Sequence, residues 1–144
     1  MEQETKMLGF GFTGLNVKKY PDFKGKLEAK SDINITSVEK NKVDILNEEA
    51  LKFDFTFEID YKDLANIHFE GFLIFLVDSK LLKETLIQWK DKKIPSNLRI
   101  TALNIILQKC SLKALQLEDE FGLPYHITFP RFQASSEKDN SQSK

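Results

Sequence analysis

Leu51-Lys52-Phe53-Asp54-Phe55-Thr56-Phe57-Glu58-Ile59 is the stretch whose reading decides the fold. Leu51, Phe53, Phe55, Phe57 and Ile59 occupy odd positions, and Lys52, Asp54, Thr56 and Glu58 fall between them. Side chains alternate across a strand, so one face of this segment is apolar and the other polar. On a helix the same residues would be smeared around the cylinder. The stretch therefore reads as a half-buried β-strand, extending toward Tyr61, and its phenylalanines need a cover.

The next segment, Ile67 to Val77, alternates first and then stops alternating. Ile67, Phe69, Gly71, Leu73, Phe75 and Val77 share one parity; His68 and Glu70 oppose them, but then Phe72, Ile74 and Leu76 do. The second half is apolar on both faces. One face can pack under helices of the same chain. The other needs a second cover, which a partner subunit can supply; Phe72, Ile74 and Leu76 are thus expected at an oligomer interface. The competing reading folds the Phe10/Phe12 segment or the C-terminal residues over them.

Upstream lie two more extended segments. Leu8 to Val17 carries Phe10 and Phe12 on one face, with Gly9, Gly11 and Gly14 signalling bends, bulges or close backbone approach. Lys24 to Val38 places Leu27, Ala29, Ile33 and Ile35 on odd positions, and the parity slips at Ser37-Val38, which predicts a bulge or a strand end. Glu39 to Lys42 reads as a polar connection, and Asn47 to Ala50 as another or as one helical turn.

Downstream the period changes to that of a helix. Asp78 or Ser79 can cap a segment with Leu82, Leu86 and Trp89 on one side, ending at Asp91 to Pro95. Ser96 or Asn97 can cap a second helix with Leu98, Ala102, Ile105, Ile106, Cys110, Ala114 and Leu117 inward. Phe121-Gly122 followed by Pro124 stops it. At helical rise this second helix is roughly 39 Å long. Leu103, Leu107, Leu112 and Leu115 widen its apolar surface beyond one stripe. A proline-bounded apolar coda follows, Leu123 to Phe132. The fold class is α+β: a curved antiparallel sheet of about four strands with two C-terminal helices on one face. Residues 1–7 are expected to be frayed, 8–132 to form a single domain, and 133–144 to be a disordered polar tail.

Composition narrows the function classes. The chain has 144 residues, 41% hydrophobic and 30% charged, which is the composition of a folded domain. Its net charge is −1, and Arg99 and Arg131 are its arginines, so a surface built to grip phosphates is disfavoured, and nucleic acid with it. Cys110 is the single cysteine, which leaves no intrachain disulfide and no cysteine-based zinc cage. The first residues hold no apolar run of signal-peptide length, and the longest apolar run, Phe72 to Val77, is too short to span a bilayer. The expected location is the cytoplasm, without membrane insertion.

No side-chain constellation in the sequence points to catalysis, a metal or a cofactor, and none of the three is expected. His68 lies on a polar strand face beside Glu70, His126 lies in the coda, and Cys110 falls mid-helix on an apolar face, where a buried inert thiol is the ordinary outcome. Asp54, Glu58 and Asp60 share a strand face, but acid–base work needs a carboxylate in a cleft. Gly9, Gly11 and Gly14 lack the flanking strand, helix and Lys-Ser/Thr pair of a phosphate loop.

The arrangement of four extended segments, two helices and a proline-bounded coda resembles the SecB family of export chaperones. The local match is Gly122-Leu123-Pro124-Tyr125-His126-Ile127-Thr128-Phe129-Pro130-Arg131-Phe132, where Gly122, Pro124, Ile127, Pro130 and Phe132 fall at the spacing of the family's Gly-Phe-Pro run and its Ala-Pro-Val-Asn-Phe segment. Phe129 replaces the family's Ala, and Arg131 its Asn. Trp89, the Asn104–Cys110 run and the Leu-Pro coda are similar to an archaeal SecB-like group. The resemblance implies a dimer or tetramer that holds unfolded polypeptides in apolar grooves, without ATP or any cofactor. It places client contact at Phe121, Leu123, Tyr125, Ile127, Phe129 and Phe132. Ordinary packing of the coda is the competing reading for each of these, and a small protein- or RNA-binding adaptor is the alternative function. The acidic tail by which the family engages its translocase partner is not reproduced in 133–144.

Overall fold

In a computed structural model that describes residues 5–21, 28–43 and 48–134, four strands are followed by two helices. The strands are β1 (Thr5–Lys19), β2 (Lys30–Val43), β3 (Glu48–Asp60) and β4 (Ala65–Val77); the helices are α1 (Ser79–Trp89) and α2 (Ser96–Phe121). The sheet order is β1-β4-β3-β2, and every pairing is antiparallel. The two strands with the strongest apolar alternation are therefore the two central ones. The α+β class and the two helices on one face are as the sequence predicts.

Registration explains the core. Phe53 lies opposite Leu73, Phe55 opposite Gly71, and Phe57 opposite Phe69, so the odd-numbered residues of both strands share the helix side of the sheet. Phe53, Phe55, Phe57, Phe69, Leu73 and Phe75 are all buried there, with Leu98, Ala102, Ile106, Cys110 and Ala114 of α2 in the same core. The edge strands reach this face through bulges. On β2 the register shifts between Ile35 and Ser37, which turns Val38 to the same side as Ile33 and Ile35. On β1 shifts at Met7/Gly9 and Phe12/Gly14 bring Phe10, Phe12, Leu15 and Val17 opposite inward residues of β4. Phe12 and Leu15 nevertheless stay exposed, although α2 meets β1 on either side of them, at Phe10 through Lys109 and at Lys19 through the Phe121 carbonyl.

Several boundaries differ from the sequence expectation. β1 begins at Thr5, ahead of the expected Leu8, so residues 5–7 are strand rather than frayed end. Glu39 to Lys42 is not a connection: Glu39 pairs with Lys52 and Lys42 with Glu49. An edge strand needs only backbone partners, and its side chains carry no apolar signal. Residues 1–4, 22–27, 44–47 and 135–144, which include parts of the expected second strand and most of the expected tail, lie outside the described residues. Asp78 caps α1 by accepting from the Leu81 N–H at 2.7 Å. For α2 the cap position is Pro95, with no side-chain cap, so neither Ser96 nor Asn97 serves as one.

Gly71 sits at the tightest point of the sheet. A Cβ there would collide with the Gly11 carbonyl oxygen and lie 2.7 Å from the Phe55 ring. One of those neighbours is backbone and cannot swing away. Gly71→Ala is expected to destabilise the fold by about 1–3 kcal/mol, the usual cost of overpacking. Urea denaturation checks this through a lower midpoint at an unchanged slope.

Candidate functional site

The coda begins where α2 stops. Gly122 adopts φ 65°, the left-handed cap conformation, and the Leu123 N–H turns back to donate to the Glu118 carbonyl at 2.8 Å. Lys19 of β1 donates its Nζ to the Phe121 carbonyl at 2.7 Å, placing a cation at the negative end of the helix. The chain then folds back so that His126 enters the protein. Its side chain is only 4% exposed, and its ring meets Phe57 edge-on at 6.3 Å between centroids.

A buried polar cluster holds it. Glu118 Oε2 accepts from the His126 backbone N–H at 3.2 Å and faces His126 Nδ1 at 2.8 Å. The Tyr61 hydroxyl donates to the same oxygen in a short bond. The other face of the imidazole, Nε2, lies 3.1 Å from Ser111 Oγ on α2. Glu118 itself is fully buried, and its Oε1 has no hydrogen-bond partner among the described residues. Burial, reinforced by the bond to Glu118, holds the Tyr61 phenol well above the usual tyrosine range. The elements that meet here are the end of β3, the last turns of α2 and the coda.

Of the expected client-contacting residues, Phe121, Tyr125, Ile127, Phe129 and Phe132 are exposed, Phe132 at 93%. Leu123 is the exception. It is 6% exposed and belongs to the core, because its N–H is drawn back under the helix end. The exposed series continues onto the outer side of α2 with Ile100, Leu107 and Leu112. Between that side and the coda lies a cavity of about 420 Å³, lined by Asn104, Leu107, Gln108, Ser111, His126 and Ile127 among others.

Phe72, Ile74 and Leu76 lie on the opposite face of the sheet, away from the helices, and are half-buried. Beside Ile74 and Phe72 β1 contributes Gly9 and Gly11 instead of side chains, while Lys6 stands beside Leu76, and the Phe72 ring fills the space a Gly11 Cβ would occupy. Lys52 stands over the Phe72 ring at 5.5 Å. The N-terminal phenylalanines do not cover this patch, since Phe10 and Phe12 are on the helix side.

The remaining candidates stay apart. Cys110 is buried in the core, and burial pushes its thiol up to about 12. His68 faces Glu70 at 3.3 Å on the strand surface. Glu58 on the open face takes the Asn66 amide at 2.7 Å, and Asp60 accepts the Lys62 N–H at 2.9 Å in the turn. Among the described residues no group of three His, Cys, Asp or Glu side chains is placed to hold a metal ion, and no helix is long and apolar enough to cross a membrane. The buried cluster escaped the sequence reading. One signal for it existed: Glu118 follows Ala114 by four residues on the inward stripe, where a charged side chain is out of place unless paired. No family model, no curated protein and no solved structure matches the chain.

Because the Tyr61 phenol is held neutral in the fold, it ionises first in the unfolded chain. That contribution to stability is complete below about pH 10 and is lost as pH rises beyond it. Tyr61→Phe is expected to flatten part of this alkaline slope. At neutral pH it should cost about 1–3 kcal/mol, by leaving a buried carboxylate one donor short. Urea titrations across pH 7 to 11 measure both effects.

Proposed function

We propose that the chain is a SecB-like holdase that binds apolar segments of unfolded polypeptides, acting in the cytoplasm as a dimer or tetramer, with protein export as the pathway. The observation that carries this reading is the exposed apolar series of the coda and outer α2: Phe121, Tyr125, Ile127, Phe129 and Phe132 with Leu107 and Leu112. Scattered single apolar residues are ordinary on a protein surface, but a series that follows one edge offers broad contact with little sequence demand. Holding a client in this way requires no turnover and no nucleotide. The four-stranded antiparallel sheet with two helices on one face accords with the same reading, as does the coda that ends it. The second apolar patch, Phe72, Ile74 and Leu76, has the character of a subunit interface, since it is apolar, half-buried and bordered at Phe72 and Ile74 by glycine.

The test is suppression of aggregation of several unrelated denatured proteins near equimolar ratio. Phe129→Asp combined with Phe132→Asp is expected to weaken that suppression severalfold while leaving the thermal midpoint unchanged. Binding to one partner only, at fixed stoichiometry and without suppression, would instead identify an adaptor. Phe72→Asp tests the interface separately. Light scattering behind a sizing column should give a folded monomer for the variant and a multiple of 16.7 kDa for the parent chain. An unchanged oligomer would remove Phe72 from the interface.

A further inference from the structure

The buried cluster does more than the coda requires. Two contacts to Glu118, from the His126 backbone N–H and Nδ1, already fasten the coda. The third contact, from Nε2 to Ser111 Oγ at 3.1 Å, opens on the wall of the cavity rather than on the core. The order of groups is hydroxyl, imidazole, buried carboxylate. Oε2 is an acceptor, because the backbone N–H it receives can only donate. The network therefore assigns the imidazole proton to Nδ1 and leaves the Nε2 lone pair for the serine hydroxyl. That is the arrangement by which a hydroxyl is made nucleophilic, recognised by geometry and not by sequence order.

The geometry points to a nucleophilic serine at Ser111, with His126 as its base and Glu118 positioning the imidazole, acting on small uncharged esters whose apolar group fits the adjoining cavity. At about 420 Å³ the cavity is within the range that holds a small molecule. Leu107, Leu112 and Ile127 would receive the apolar group. In the first step Oγ bonds to the carbonyl carbon while Nε2 takes the hydroxyl proton. The tetrahedral adduct then expels the alcohol, whose oxygen takes that proton from the imidazole. Water, deprotonated by the same nitrogen, next attacks the acyl-serine, releasing the carboxylic acid and restoring the hydroxyl. No redox partner is needed. Ser111 is mid-helix, so the side-chain donor for the developing oxyanion is the carboxamide of Gln108, one turn earlier on the same wall.

The test uses the full chain with an alkyl fluorophosphonate and with p-nitrophenyl butyrate. The expected result is a one-to-one adduct on Ser111, located by peptide mass spectrometry and formed at least tenfold faster than any adduct on Ser79, which is exposed and lies away from the cavity. Nitrophenol release should be lost in Ser111→Ala. His126→Ala should lose labelling and regain it with added imidazole, a rescue that a merely structural histidine would not show. Absence of an adduct on the folded parent chain, labelling spread equally over exposed serines, or unchanged nitrophenol release in Ser111→Ala would overturn the assignment. The outcome is separable from the holdase reading, since labelling and nitrophenol release are read without any client and aggregation suppression is read without any ester, so either can fail while the other holds.

Discussion

Phe53, Phe55 and Phe57 of β3 and Phe69, Leu73 and Phe75 of β4 form one layer, and the rest of the molecule is arranged to keep water from it. Each fully buried side chain of this size is worth about 1.5–3 kcal/mol relative to exposure, so the layer outweighs any single polar contact in the structure. It also dictates topology. Strands with this alternation belong at the centre of a sheet, where both neighbours fix the register and a one-residue slip would turn every ring to the wrong side. The helices can then lie only on the ring side. Gly71 completes the layer by omission, since its missing side chain is what lets the Phe55 ring and the β1 backbone close in.

Two helices are not enough cover for a four-stranded sheet on one face, and they leave the other face without any. This shortfall accounts for the apolar surface better than any local sequence feature. On the helix side the cover of the β1 edge is incomplete: Phe10 is half-buried, with its ring against Phe55, while Phe12 and Leu15 are exposed. On the far side, the charged and polar residues of β3 give way on β4 to Phe72, Ile74 and Leu76. The coda does not repair either shortfall. It packs through Leu123 and His126 and presents its larger aromatics outward.

How much of this could be read from the sequence depended on how far apart the interacting residues lie. The β3 and β4 faces were legible because period-two alternation is a local pattern, and the Gly122 stop because its chemistry is local too. The bulge near Ser37 was legible as a parity slip, and the structure shows its purpose in returning Val38 to the core. The outer half of β2 was not legible. Glu39 to Lys42 is polar on both faces and is strand only because β3 lies beside it. The buried cluster was harder still. Tyr61, Ser111, Glu118 and His126 share no motif, and what unites them is the reversal of the coda, which puts residue 126 beside a helix turn it has already left.

Glu118 shows why that reversal is specific and not merely greasy. A buried carboxylate is a poor way to gain stability, since an apolar residue of similar volume packs as well without desolvating a charge. What the carboxylate supplies is direction: three donors converge on one oxygen, and only one path of the coda satisfies them. The same path puts Ile127 against the cavity that Ser111 and His126 line. An apolar segment docked between Leu107, Leu112 and Ile127 would therefore cover the Ser111 hydroxyl. The polypeptide-holding and ester-cleaving activities proposed for this surface thus exclude one another at any instant. A bound client would act as a competitive inhibitor of the serine, because both use the one cleft that the coda makes when it folds back on α2.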